Sequence, residues 1–190
     1  MPSWTRLPRR SPAGLATACA TASSISAFPT PRPSGAPPTL GSWWRPSQAS
    51  SHAWATPGRS HWGDRHHRCF PALSLIEAGL CLAGSSDAPT GELSPWAGIQ
   101  SFVTRRAASG QPSGPHEALS VRQAIHAYTS GGAIAMGHDA WRGTLHTGMA
   151  ADFALLDRDP LSCSVDDLAS ITARLTVADG RAMHDPDGIL

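Results

Sequence analysis

The chain has 190 residues, enough for one domain with a tail, and only 15% of them are charged. Its net charge of +1 gives no electrostatic footprint for nucleic acid. No run of about 18 apolar residues is present, so nothing in the sequence spans a membrane as a helix.

The near-balance of charge hides a split. Residues 1–60 carry six Arg and no acidic residue, whereas residues 61–190 carry nine Arg and all 14 Asp and Glu. No Lys occurs anywhere, which excludes a lysine Schiff base, a lysine phosphate clamp and a carbamylated lysine as metal ligand. Cys19, Cys69, Cys81 and Cys163 lie far apart without a CxxC pair, which gives neither a zinc ribbon nor a disulfide framework. A reducing, cytoplasmic setting is the expectation.

Residues 1–60 hold ten of the 17 Pro, five of them between Pro29 and Pro38. Proline removes amide donors and fixes φ, so this stretch sustains neither a helix nor a central strand. Trp4, Trp43, Trp44 and Trp54 recur without period, and the segment reads as low-complexity and disordered. An organellar transit peptide and translation out of frame from GC-rich DNA are the other readings of its bias.

The texture changes near Trp62. Pro71–Ala78 is predicted to be a short helix ended by Gly79. Leu80–Gly84 is an apolar run of strand length, suited to burial on both faces in a parallel sheet. Trp96, Ile99, Phe102 and Val103 follow helical spacing, with Gly110 closing that segment. Ser120 and Gln123 form a capping box for a helix from Val121 to about Tyr128, and Gly131-Gly132 kinks or restarts it. Ala151–Leu156 reads as a strand, and Asp179-Gly180 between two strand-like runs is a two-residue hairpin turn.

One position invites a chemical reading. In Gly84-Ser-Ser-Asp-Ala-Pro89 an acid follows the end of an apolar strand, and in parallel α/β folds the ligand crevice lies at that edge. From spacing alone, Asp87 either caps the turn before Pro89 or is a functional carboxylate.

Several blocks, in order, bear on this choice. They are Gly63-Asp-Arg-His-His67, Ser74-Leu-Ile-Glu-Ala-Gly79, Gly84-Ser-Ser-Asp-Ala-Pro89 and Leu119-Ser120 with Ala124 and Ala127-Tyr-Thr129. Gly143-Thr-Leu-His-Thr-Gly148, Ala151-Asp-Phe-Ala-Leu-Leu-Asp157, Asp159-Pro160 and Val177-Ala-Asp-Gly-Arg181 continue the series. Over residues 62–184 the chain resembles the C-terminal part of the amidohydrolase superfamily, in the amidohydrolase-3 branch that includes N-substituted formamide deformylase-like enzymes.

The resemblance implies an α/β fold: a partial TIM barrel comprising the last β/α units of a metal-dependent hydrolase over residues 61–140. It further implies C-terminal strands of a small composite β domain over residues 141–190. The activity implied is hydrolysis of C–N bonds other than peptide bonds in small molecules, with one or two divalent metals, commonly zinc. The family's acid after the last barrel strand matches Asp87, which makes Asp87 both the catalytic acid–base and a metal contact.

The chain also departs from the family. It has no HxH pair, and the adjacent His66 and His67 cannot place both rings on one side of a strand. A closed barrel needs roughly 200 residues or more, and about 130 follow the low-complexity start. The expectation is therefore a fragment of an amidohydrolase, inactive alone, whose strand near Leu80 lacks its neighbours. The alternative is a non-catalytic remnant or interaction module that needs a partner chain, or that oligomerises or aggregates through exposed apolar faces. His116, His126, His138, His146 and His184 have no ligand spacing. Arg105-Arg106 reads as a solvated helix face with a substrate role as the alternative, and Tyr128 as a ring packed under the barrel end.

Overall fold

The computed structural model describes residues 19–20, 70–86, 92–107 and 109–190. The remaining residues of the 1–60 segment, the 62–69 part of the matched blocks and Asp87 itself lie outside these.

Helix α1 (Ala72–Glu77) ends at Ala78, with Gly79 at φ 77° turning the chain into strand β2 (Cys81–Leu82). Glycine adopts that left-handed conformation without the penalty a Cβ incurs. Leu82 and Ala83 are buried, as the apolar run predicts. Strand β1 (Cys19–Ala20) pairs with β2 in parallel, Cys19 opposite Cys81 and Ala20 opposite Leu82. This corrects the expectation that the strand near Leu80 has no neighbour, and it places two residues of the 1–60 segment in a sheet. A buried strand exposes rows of amide donors and acceptors along its edges, and β1 takes up one of them.

Helix α2 (Pro95–Thr104) starts with Pro at its first position, where no amide donor is missed. Its inward face buries Ile99 and Phe102. The helix ends at Arg105, five residues before Gly110, and here too the structure corrects the reading from sequence. Arg105 is itself left-handed at φ 48° and only 3% exposed, not a solvated face. Its Nε donates to the carbonyls of Ser113 (3.0 Å) and Gly114 (3.3 Å), which offsets the cost of a left-handed non-glycine residue and of burying a cation. Arg106 does face solvent and pairs with Asp166 at 2.7 Å.

The capping box forms as read: Ser120 Oγ accepts from the Gln123 amide (3.3 Å), and Gln123 Oε1 accepts from the Ser120 amide (2.9 Å). It starts α3 (Val121–Tyr128). The helix breaks at Thr129, with φ −113° and ψ −91°, and restarts as α4 (Ser130–Ala135). Gly131 lies in α4 where the helix meets β2. A Cβ there would overlap the Leu82 carbonyl oxygen, so the glycine sets how closely helix and strand approach.

The C-terminal part is a three-stranded antiparallel sheet, β3 (Phe153–Leu156), β4 (Ala173–Ala178) and β5 (Arg181–His184), in that spatial order. Asp179 (φ 52°) and Gly180 (φ 73°) form the β4–β5 turn in the conformation that an Asp-Gly pair favours. A 3₁₀ segment, Val165–Ser170, crosses between β3 and β4 and inserts Leu168 against α2. Gln100 Nε2 fastens it by donating to the carbonyls of Val165 and Asp166. The core joins both parts: Phe102 and Leu168 are wholly buried in one cluster with Leu82, Ala124 and Ile171.

Candidate functional site

The site reading centres on the carboxyl end of β2. The Gly84 amide donates to the Ala127 carbonyl at 2.9 Å, which ties the strand end to the last turn of α3. Tyr128, the next residue of α3, fills the space beside Gly84 and Gly98. A Cβ at Gly84 would lie 2.5 Å from the Tyr128 ring, and one at Gly98 would overlap its hydroxyl. The ring meets Phe102 edge-on, with centroids 6.3 Å apart at 75°. The Tyr128 hydroxyl donates to the Ser85 carbonyl over a long 3.4 Å. Burial pushes the phenol up to about 12, so it is a neutral donor at any physiological pH.

Asp87 follows Ser86 outside the described residues, so its side chain has no described partner. The histidines do not gather. His126 is exposed on α3, His138 stacks near Trp141 with centroids 5.0 Å apart, and His146 Nδ1 is 2.8 Å from Thr144 Oγ1. Among the described residues no three His, Cys, Asp or Glu side chains converge. These residues alone therefore do not make up a metal-holding set.

The acids of the Ala151–Asp157 block have structural partners. Asp152 Oδ1 accepts from the Asp179 amide at the β4–β5 turn (2.6 Å), and its Oδ2 lies 2.7 Å from Arg142 Nε. At the other end of β3, Asp157 Oδ1 accepts from the Thr172 amide (3.1 Å) just before β4. That bond, more than the adjacent Arg158, holds the Asp157 carboxyl below its usual range.

Two buried polar groups give no signal in a linear reading. Arg105 is one. The other is Glu117, 5% exposed, in a 3₁₀ turn (Pro115–Glu117), whose carboxylate accepts from the Ser74 amide at 2.9 Å and from the Ser74 hydroxyl. A third feature is an apolar groove of about 530 Å³ between the β2 edge, α3 and α4, lined by Ile76, Leu80, Leu82, His126 and Ile134 among others. It lies beside the amino end of β2, away from the Ser85–Ser86 end.

The family model described as "Amidohydrolase family" matches residues 44–184. The chain belongs to the amidohydrolase family. This amidohydrolase chain is 32% identical over 123 residues to N-substituted formamide deformylase of Arthrobacter pascens, covering 65% of this chain and 23% of that protein. It is 35% identical over 126 residues to the putative amidohydrolase YtcJ of Bacillus subtilis strain 168, covering 64% and 24%. It thus spans about a quarter of the length of these curated relatives. Among solved structures, it superposes on a metal-dependent hydrolase from Pyrococcus horikoshii with a TM-score of 0.51 at 24% identity, over 74% of this chain and 26% of that one. A second amidohydrolase gives a TM-score of 0.51 at 21% identity, over 78% and 36%. These superpositions support an α/β amidohydrolase fold in part. Among the described residues the parallel sheet has two strands, and no helix is long and apolar enough to cross a membrane.

Proposed function

We propose that this chain is the C-terminal part of a TIM-barrel amidohydrolase that hydrolyses C–N bonds other than peptide bonds, with Asp87 as its catalytic acid–base. One observation carries the reading. β2 is a parallel strand whose chain direction leads through Gly84, Ser85 and Ser86 to Asp87, so this carboxylate follows the edge where α/β folds bind ligands. There the carboxylate accepts a proton from the attacking water and passes it to the leaving nitrogen, so that the amine departs neutral and the carboxylate is regenerated. The relative acting on N-substituted formamides makes small N-formyl or N-acyl amines the first substrates to try.

The resemblance also makes Asp87 a metal contact, to zinc or another divalent ion. Such an ion needs donors beyond the described residues, because those do not converge. With no HxH pair in its sequence, the chain by itself is expected to be inactive. A cytoplasmic setting belongs to the same reading, with four widely spaced cysteines and no CxxC pair.

A second reading, a non-catalytic module that needs a partner chain, draws on the apolar groove beside β2 and on exposed Phe153, Leu155 and Met183.

The test joins residues 44–184 to the Arthrobacter deformylase in place of its matching segment. The chimera is expected to turn over an N-substituted formamide and to lose at least about 100-fold in kcat with Asp87→Asn. Full turnover by the Asn variant would remove Asp87 from the chemistry. Stoichiometric zinc together with turnover in the isolated chain would remove the expectation of inactivity.

A further inference from the structure

Two consecutive residues of α3 hold two consecutive residues at the end of β2. The Ala127 carbonyl accepts from the Gly84 amide at 2.9 Å, and the Tyr128 hydroxyl reaches the Ser85 carbonyl. We propose that Tyr128 is a positioning residue for the carboxyl end of β2: its hydroxyl holds the Ser85 carbonyl and so sets the direction in which the chain leaves the strand. This rests on the reading of Asp87, two residues further on, as the acid.

The ring sits in a slot made for it. Gly84 on the strand side and Gly98 on α2 both lack the Cβ that would displace it, and the hydroxyl lies where a Gly98 side chain would begin. Packing alone does not explain the phenol, because a phenylalanine ring fills the same slot against Phe102. Burying a hydroxyl costs free energy unless it is hydrogen-bonded, and among the described residues the Ser85 carbonyl accepts from it. The raised phenol pKa agrees with this desolvated position and keeps the donor proton in place.

The experiment compares the full chain with its Tyr128→Phe variant by hydrogen–deuterium exchange. Phenylalanine keeps the ring and removes only the donor. Exchange at the Ser85 and Ser86 amides is expected to accelerate about fivefold, the worth of one net hydrogen bond, and the melting temperature to fall by the few degrees that this loss implies. Unchanged exchange at Ser85 and Ser86, or a larger acceleration at Ile99 to Phe102 than there, would overturn the proposal. A second measurement needs no variant. Tyr128 is the only tyrosine, so ζ-¹³C-tyrosine labelling yields one resonance. It is expected to stay in the phenol form until about pH 12, and titration near 10 would show the hydroxyl to be solvated and overturn the slot. Asp87→Asn leaves both readouts unchanged, so failure here is separable from failure of the Asp87 reading.

Discussion

The Glu117 carboxylate closes the first turn of a helix that begins 45 residues earlier: it accepts from the Ser74 amide, at the third position of α1, and from the Ser74 hydroxyl. Pro71 stands at the N-cap of α1 and makes no side-chain cap bond, so the orphan amide has a distant partner instead of a local one. The negative charge also suits the helix amino end. Because α1 runs directly into β2, this contact helps set where the strand starts.

Glu117→Ala is expected to destabilise the chain by about 0.5–2 kcal/mol, because it removes the acceptor that caps the Ser74 amide in the first turn of α1. Urea denaturation followed by circular dichroism measures it. Glu117→Gln retains an acceptor oxygen and should recover part of the loss.

The adjacent glycines of α4 should behave oppositely. Gly131→Ala drives a methyl into the Leu82 carbonyl and is expected to cost about 1–3 kcal/mol, since helix and strand must separate. At Gly132 nothing lies within 4 Å of the added methyl, and Gly132→Ala is expected to stabilise by about 0.5–1 kcal/mol through helix propensity. Thermal melts of the two variants side by side check the contrast. Equal effects would mean that α4 does not press on β2.

Alkali should destabilise the chain through Tyr128. Its pKa rises from the ordinary 10 to about 12 on folding, so the unfolded state loses its proton first. The stabilisation is complete below pH 10 and disappears progressively as pH rises towards 12, at up to about 1.4 kcal/mol per pH unit. Tyr128→Phe should flatten that limb of the stability profile, as measured by denaturant midpoints between pH 9 and 12.

Local signals were legible in the sequence, and long-range ones were not. The Ser120–Gln123 capping box, the Gly79 stop and the Asp179-Gly180 turn each carry their determinants within a few residues. The end of α2 misleads, because Arg105 takes the left-handed position usual for glycine by drawing on carbonyls eight and nine residues away. The Thr129 break falls before the glycines that suggest a kink, since the restarted helix must bring Gly131 against Leu82. Glu117 gives no local signal because its partner lies 43 residues off. The acid at position 87 owes its candidacy to the ordered family blocks. The structure adds the parallel strand before it, and the Tyr128 slot beside that strand depends on glycines 44 and 30 residues from the ring, a pairing that no local periodicity encodes.

The bracketing of β4 by Asp152 and Asp157 bears on how loss-of-function screens should be interpreted. Either carboxylate, once removed, frees one end of a ribbon, and a cell-based assay would score the outcome as a dead enzyme. Yield of folded polypeptide, recorded beside turnover, separates such frame carboxylates from any that do chemistry.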